Sequence, residues 1–244
     1  MIAQTSVDPA DLARFEALGA SWWDASGPMK ALHDINPLRI AYLLRVAKDR
    51  FGSEGDLPLK GLRILDIGCG AGVLSEPLAR LGGTVTGLDP GEANIAVARD
   101  HAEAAGLDID YRCETVESLA AKPGTFDLVL AMEVVEHVAD VAVFLGAAAR
   151  LVRPGGVLVA STINRTLKSF ALAIVAAEYV LRWVAKGTHR WEQFVTPEEL
   201  RAALGDAGLE SIDETGLLYS PLRGTWSLGD DTGVNYFMTA VRPS

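Results

Sequence analysis

The stretch from Arg63 to Asp89, RILDIGCGAGVLSEPLARLGGTVTGLD, constrains the fold of this chain more than any other. Ile64 to Ile67 is an apolar run with the length and composition of a buried strand. It stops at a turn with glycine at alternate positions, Gly68, Gly70 and Gly72. Glycine admits φ > 0 and lets another group approach the backbone. Ser75 to Leu81 then reads as a helix whose first amides point back to that turn. Thr84 to Leu88 reads as a second strand, ending on Asp89.

Asp89 stands roughly 20 residues past the glycines, where a nucleotide fold places the carboxylate that accepts from two ribose hydroxyls. The glycine spacing is not the GxGxxG of a pyrophosphate site, and an acid, Asp66, precedes it. An anionic pyrophosphate gains little from that carboxylate, whereas a sulfonium bearing an α-amino group gains from it. The pattern resembles motif I of class I S-adenosylmethionine-dependent methyltransferases. Tight packing of strand on helix is the alternative explanation of such a turn.

With 244 residues the chain reads as one domain, 1–244, with an N-terminal helical cap over 1–55. Hydrophobic residues make up 49% and charged residues 22%, as in a globular protein. Cys69 and Cys113 form neither a disulfide framework nor a CxxC site, which suits a reducing cytoplasm. The N-terminus shows neither a basic leader nor an apolar run, so no signal peptide is expected. A net charge of −10 argues against a nucleic-acid partner. Asn164 to Trp191 is the exception: it carries +4 against −14 for the remainder.

Helices are expected over Asp8 to Leu18 and over Asn36 to Phe51, the second with Asn36 as N-cap and Pro37 at the first helical position. Strand and helix signals then alternate: a helix over Glu92 to Ala105, a strand over Ile109 to Cys113, a short helix near Val116 to Ala120, a strand over Phe126 to Met132 and a helix over Ala139 to Leu151. Pro154, Gly155 and Gly156 form a turn into strand Val157 to Thr162. A Thr196-capped helix, Pro197 to Ala207, precedes strands near Glu210 to Tyr219 and Asn235 to Val241. The fold class is α/β and Rossmann-like: a mostly parallel, seven-stranded sheet with helices on both faces and an antiparallel C-terminal strand. Ligands of such sheets gather at the carboxyl ends of the strands. Asp66 to Gly72, Asp89, Cys113 to Glu117 and Met132 to His137 should therefore line one rim. On a methyltransferase reading, Met132 and the backbone around Thr115 and Val116 flank the adenine; core filling is the other reading of Met132.

Several segments outside the glycine turn agree on one family. LHDINPLR (Leu32 to Arg39), TrpTrpAsp at 22 to 24, MEVVEHV (Met132 to Val138), INRTLKSFALAIVAAEYVLRWVAKGTHRW (Ile163 to Trp191) and GLLYSPLRGTWSLGDDTGVNYF in the tail resemble the ubiquinone-biosynthesis O-methyltransferases. The resemblance spans nearly the whole chain. It implies methylation of catechol-type hydroxyls on polyprenylated rings at two steps of that pathway, with S-adenosylmethionine as donor. Arg39, Gly70, Asp89 and Met132 match the family's cofactor contacts, and Asp66, Gly68 and Thr115 join them as candidates. Arg39 suits a bidentate grip on the methionine carboxylate. The resemblance also implies magnesium, as in eukaryotic members of the family, at the residues matching Glu133, Glu136 and His137. These three could hold a divalent metal, or His137 or Glu133 could take the phenolic proton; capping of a helix start is the plain alternative. The resemblance leaves open a homodimer or an assembly of ubiquinone-biosynthesis enzymes.

Phe170 to Ala185 is apolar apart from Glu178 and Arg182 and is shorter than the ~20 residues that cross a bilayer. As a helix it sets Glu178, Arg182 and Lys186 on one polar stripe, with Tyr179, Trp183 and Trp191 suited to lipid headgroups. The insert 164–191 is therefore expected to lie on a membrane surface, which places the protein in the cytoplasm at the inner face of the membrane. Packing on the domain's own core or on a second copy is the alternative. Trp22, Trp23 and His33 are expected to close over bound cofactor or substrate. Other functions to weigh are methylation of another small phenol or lipid, an NAD-dependent oxidoreductase, which would need GxGxxG, and a noncatalytic lipid-binding module.

Overall fold

A computed structural model describes residues 5–170, 190–220 and 223–244. Glu178, Arg182, Lys186, Tyr179 and Trp183, on which the interfacial helix was argued, lie outside the described residues. Five strands run parallel: β1 (Arg63–Ile67), β2 (Thr84–Asp89), β3 (Asp110–Cys113), β4 (Phe126–Met132) and β5 (Val152–Ile163). Three more, β6 (Glu210–Ser220), β7 (Thr225–Gly229) and β8 (Asn235–Val241), add antiparallel. Among the described residues the sheet has order β3-β2-β1-β4-β5-β8-β6-β7. The order reverses between β1 and β4, so a crevice opens at their carboxyl ends.

Helices cover both faces: α1 (Pro9–Glu16), α2 (Lys30–Phe51), α3 (Ser75–Arg80), α4 (Glu92–Ala104), α5 (Val116–Ala120), α6 (Val141–Leu151), the single turn α7 (Leu167–Ser169) and α8 (Pro197–Asp206). One core packs β1, β4 and β5 against α6 and α8 through Leu65, Val129, Leu145 and Leu200. The other packs α2 on the opposite face through Tyr42, Leu43, Ile64 and Leu130. The near-continuous apolar character of β4 follows from burial on both sides. A capping box between Thr196 and Glu199 starts α8, as its sequence signature requires.

Three sequence expectations need correction. Asn36 is not an N-cap: α2 begins two turns earlier, and Pro37 lies inside it. Pro37 leaves the His33 carbonyl without its helical donor, and Asn36 turns inward, where Nδ2 donates to the Val73 carbonyl at 2.9 Å. The Pro154-Gly155-Gly156 turn does not precede β5 but is absorbed into it, because the pairing with β4 slips between Phe126 and Leu128 and the excess residues bulge out. Finally, β7 is an eighth strand at the sheet edge; its five residues, Thr225–Gly229, are too few and too exposed to give an alternating apolar signal.

Candidate active site

The turn after β1 is built around Asp89. The amides of Gly68 and Cys69 donate to the Leu88 carbonyl at 2.7 and 3.1 Å, which folds the turn back over the end of β2. Gly70 has φ 53°, a conformation natural to glycine, and this aims its N–H at Asp89 Oδ2 at 3.0 Å. The other oxygen, Oδ1, accepts from Gly91 N at 2.8 Å and from Asn94 Nδ2 at 3.1 Å. Burial pushes the Asp89 carboxyl up, and the donors from Gly91, Asn94 and Gly70 oppose it.

Asp66 closes β1 and is 2% exposed. Ser75, at the start of α3, donates to its Oδ2 at 2.6 Å. Burial pushes this carboxyl up to about 6, against the pull of Ser75 and of the Arg39 cation. Such a group is poised to ionise fully when a cation is seated beside it.

Arg39 reaches the same floor from α2. One terminal nitrogen lies 3.4 Å from the Met132 carbonyl and 3.1 Å from Glu133 Oε2. The second contact is an ion pair by distance without hydrogen-bond alignment, since Glu133 Oε2 has no aligned donor. Arg39 Nε is buried with no acceptor. An unpaired buried guanidinium donor is costly, and a carboxylate brought in by a ligand would satisfy it.

Glu133 is the one non-glycine residue at positive φ, 54°, among the described residues. Its N–H lies 3.0 Å from the Ser161 carbonyl and 3.1 Å from Ser161 Oγ, and that hydroxyl donates to Oε1 at 2.7 Å. The strained conformation costs on the order of 1 kcal/mol and turns the chain sharply from β4 into the Val135–His137 helical turn. Glu136 is buried and accepts from Thr162 Oγ1 at 2.7 Å, with burial pushing its carboxyl up. His137 Nδ1 lies 2.8 Å from Asp11 Oδ2.

Glu133, Glu136 and His137 thus face Arg39 and Ser161, Thr162, and Asp11 respectively. They do not converge, and among the described residues no group of three or more His, Cys, Asp or Glu could hold a metal ion. The magnesium set expected from the sequence is therefore not assembled by these donors.

A cavity of about 840 Å³ runs through the crevice. Arg39, Asp66, Gly68, Asp89, Thr115, Met132, Glu133, Glu136 and His137, all expected at one rim or at the cofactor from the sequence, line it together. Gly70 does not line it: Trp22 lies over this glycine, and a Cβ there would meet the indole ring at 2.6 Å. Thr115 caps α5, its hydroxyl accepting from Ser118 N at 3.3 Å. The far wall is apolar, with Leu217, Trp226 and Ile163 from β6, β7 and β5.

The N-terminal segment roofs the cavity. Ser6 N and Oγ donate to Glu117 Oε1 at 3.1 and 2.5 Å, Val7 bridges Val138, and Trp23 Nε1 donates to the Ala71 carbonyl at 3.0 Å. Trp23 faces away from the cavity, stacked on His101 with centroids 3.5 Å apart, and His33 Nε2 lies 2.8 Å from the Trp22 carbonyl. Asp11, Ser75, Asn94 and Ser161 were missed from sequence. Asn94 stands five residues past Asp89, but a polar residue in the first turn of a helix carries no distinctive signal, and Asp11 is 126 residues from its partner.

Residues 65–160 match a family of methyltransferase domains. A ubiquinone biosynthesis O-methyltransferase from Methylobacterium sp. (strain 4-46) is 58% identical over 241 residues, covering 98% of this chain and 97% of that protein. One of the same description from Dinoroseobacter shibae is 52% identical, covering 98% of each. Among solved structures, magnesium protoporphyrin IX methyltransferase from Synechocystis PCC 6803 with bound SAM aligns with a TM-score of 0.62 at 18% identity, covering 98% of this chain and 100% of that one. That likeness speaks for the fold alone. With full-length relatives at more than half identity, the chain belongs to the ubiquinone biosynthesis O-methyltransferase family.

Proposed function

We propose that this protein transfers a methyl group from S-adenosylmethionine to a catechol-type hydroxyl of polyprenylated ubiquinone precursors. The observation that carries this reading is the single cavity joining the Asp66 and Asp89 carboxylates to an apolar compartment under β6 and β7. One end suits a cationic nucleoside and the other a greasy ring.

When bound, S-adenosylmethionine supplies an electrophilic methyl on a sulfonium. Asp89, fixed by its donors, accepts from the ribose hydroxyls. Asp66 faces the ammonium, and the buried Nε of Arg39 finds an acceptor in the methionine carboxylate. With His137 Nδ1 donating to Asp11 Oδ2, the proton-accepting nitrogen of the ring would be Nε2. His137 then takes the phenolic proton. A neutral hydroxyl with a pKa of about 10 is a poor nucleophile, and its deprotonation supplies the electron pair that forms the O–C bond as the S–C bond breaks. Glu133 holds Arg39 in place and shapes the turn that presents His137. The N-terminal roof keeps water from the reacting atoms.

The acceptor's tail calls for lipid contact through 164–191. Among its described residues Leu167 is 83% exposed and Phe170 43%, and no described helix is long and apolar enough to cross a membrane. This reading puts the protein on a membrane surface.

Incubation with methyl-labelled S-adenosylmethionine and a short-chain demethylubiquinol, followed by product mass, tests the proposal. An acceptor heavier by one labelled methyl is expected; recovery of unmodified acceptor alone overturns it. Calorimetry with S-adenosylhomocysteine against NAD separates it from an oxidoreductase.

A further inference from the structure

Of the donors on Asp89, two are backbone amides fixed by the turns at Gly70 and Gly91, and the third is the side-chain amide of Asn94. An asparagine can present either end, and the wrong end would set a carbonyl oxygen against a carboxylate oxygen. The orientation is chosen from outside. Trp22 Nε1 lies 3.1 Å from Asn94 Oδ1 across 72 residues of sequence. An indole N–H can only donate, so it holds Oδ1 and leaves Nδ2 for Asp89.

We infer that Trp22 is a positioning residue of the cofactor site, acting through Asn94 on the Asp89 carboxylate, so that affinity for an adenosine-bearing ligand depends on the indole N–H as well as on the ring. The inference rests on the reading of Asp89 as the acceptor of ribose hydroxyls. A second contact ties Trp22 to the same place. Its ring, 7% exposed, lies over Gly70, the residue whose N–H is another of the Asp89 donors. The roof's one buried indole therefore touches both the turn and the side chain that orient Asp89. His33 secures it from behind through the Trp22 carbonyl at 2.8 Å. Asn94 is itself 1% exposed, so water cannot replace a lost partner cheaply.

Calorimetric titration of the purified full-length protein with S-adenosylhomocysteine, and separately with adenosine, tests this. Trp22→Phe keeps an aromatic ring and removes the N–H, and should weaken both ligands about 5- to 10-fold, the factor expected from one hydrogen bond. Asn94→Ala should weaken them at least as much. The double variant should be no weaker than Asn94→Ala, because both changes break one chain of bonds. A melt of the ligand-free Trp22→Phe protein checks that it folds; Asn94→Ala, with Trp22 intact, tests the same link from its other side. Wild-type affinity in either single variant, or losses that multiply in the double variant, would overturn the inference while leaving the proposed function standing. Failure of the wild-type protein to retain S-adenosylhomocysteine would remove the function and the inference together.

Discussion

Asp11 Oδ2 lies 2.8 Å from His137 Nδ1, joining the first helix of the roof to the turn after β4. Burial disfavours the Asp11 charge, yet the His137 contact and the Arg14 guanidinium, 2.7 Å from Oδ1, hold its carboxyl below the usual range. The imidazole thus lies against an anion carried by the N-terminal segment. Asp11→Asn keeps the shape and removes the charge. We expect kcat to fall about 10²-fold, within the range for general-base catalysis, with affinity for S-adenosylhomocysteine unchanged. Initial rates at saturating donor and acceptor, beside a binding titration, check this. An undiminished kcat would mean that His137 is not the base or that Asp11 does not orient it.

Much of this arrangement was legible in the chain because it rests on local rules. The alternation of apolar strands and helices, the glycines after β1 and the acids at strand ends all act within one supersecondary unit, and Arg63–Ile67, Thr84–Asp89 and Phe126–Met132 form where periodicity placed them. Pro37 misled because tertiary packing outweighed its local preference: α2 is held on the sheet by Ile35, Leu43 and Ala47, enough to carry a proline inside it. The Asp11–His137 and Trp22–Asn94 contacts could not be read at all. They join residues with no shared period, and only the path of the roof across the crevice decides them.

Asp66 sets a pH dependence whose sign follows from its environment. Burial raises its carboxyl from 3.8 to about 6, so between those values the folded protein binds the proton more tightly than the unfolded chain. Its contribution to stability is present at low pH and is lost as pH rises through that window, on the order of 3 kcal/mol. Asp66→Asn keeps an oxygen for Ser75 and removes the titration. The ligand-free variant should therefore lose less stability than wild type between about pH 5 and about pH 7.5, and be the more stable of the two at the higher pH. It should bind S-adenosylhomocysteine about 10-fold or more weakly, having lost a carboxylate beside the ammonium. Denaturant titrations at both pH values and calorimetry supply the readings. An unchanged pH slope would show that Asp66 ionises freely in the folded protein.

Arg39 offers a separate test at the other end of the methionine moiety. Its Nε is buried without an acceptor, and a lysine cannot reproduce the planar fork that a carboxylate would accept. Arg39→Lys should raise KM for S-adenosylmethionine about 10-fold with little change in kcat at saturation, the signature of lost uniform binding. Decarboxylated S-adenosylmethionine lacks the group Arg39 is assigned, so the variant and the wild type should bind it alike. Equal losses for both ligands would assign Arg39 to packing of α2 instead.

Lys168 links the cavity to the basic insert. Its ammonium lies 2.5 Å from Asp231 Oδ2, both side chains about half exposed, and both residues line the cavity. An exposed pair of this kind is worth at most about 1 kcal/mol, so on the proposed membrane reading an anionic headgroup would compete for the lysine at little cost. Reversing Lys168, Arg182 and Lys186 to Glu should cut cosedimentation with anionic vesicles about 10²-fold, since each basic side chain near such a surface contributes about 1 kcal/mol. Binding to neutral vesicles should hardly change. Turnover of a water-soluble short-chain acceptor should persist, because none of the three is assigned to the reacting groups. If the reversed protein still sediments with anionic vesicles as wild type does, the insert is not the membrane contact, and the polyprenyl acceptor must reach the Leu217 and Trp226 wall by another route.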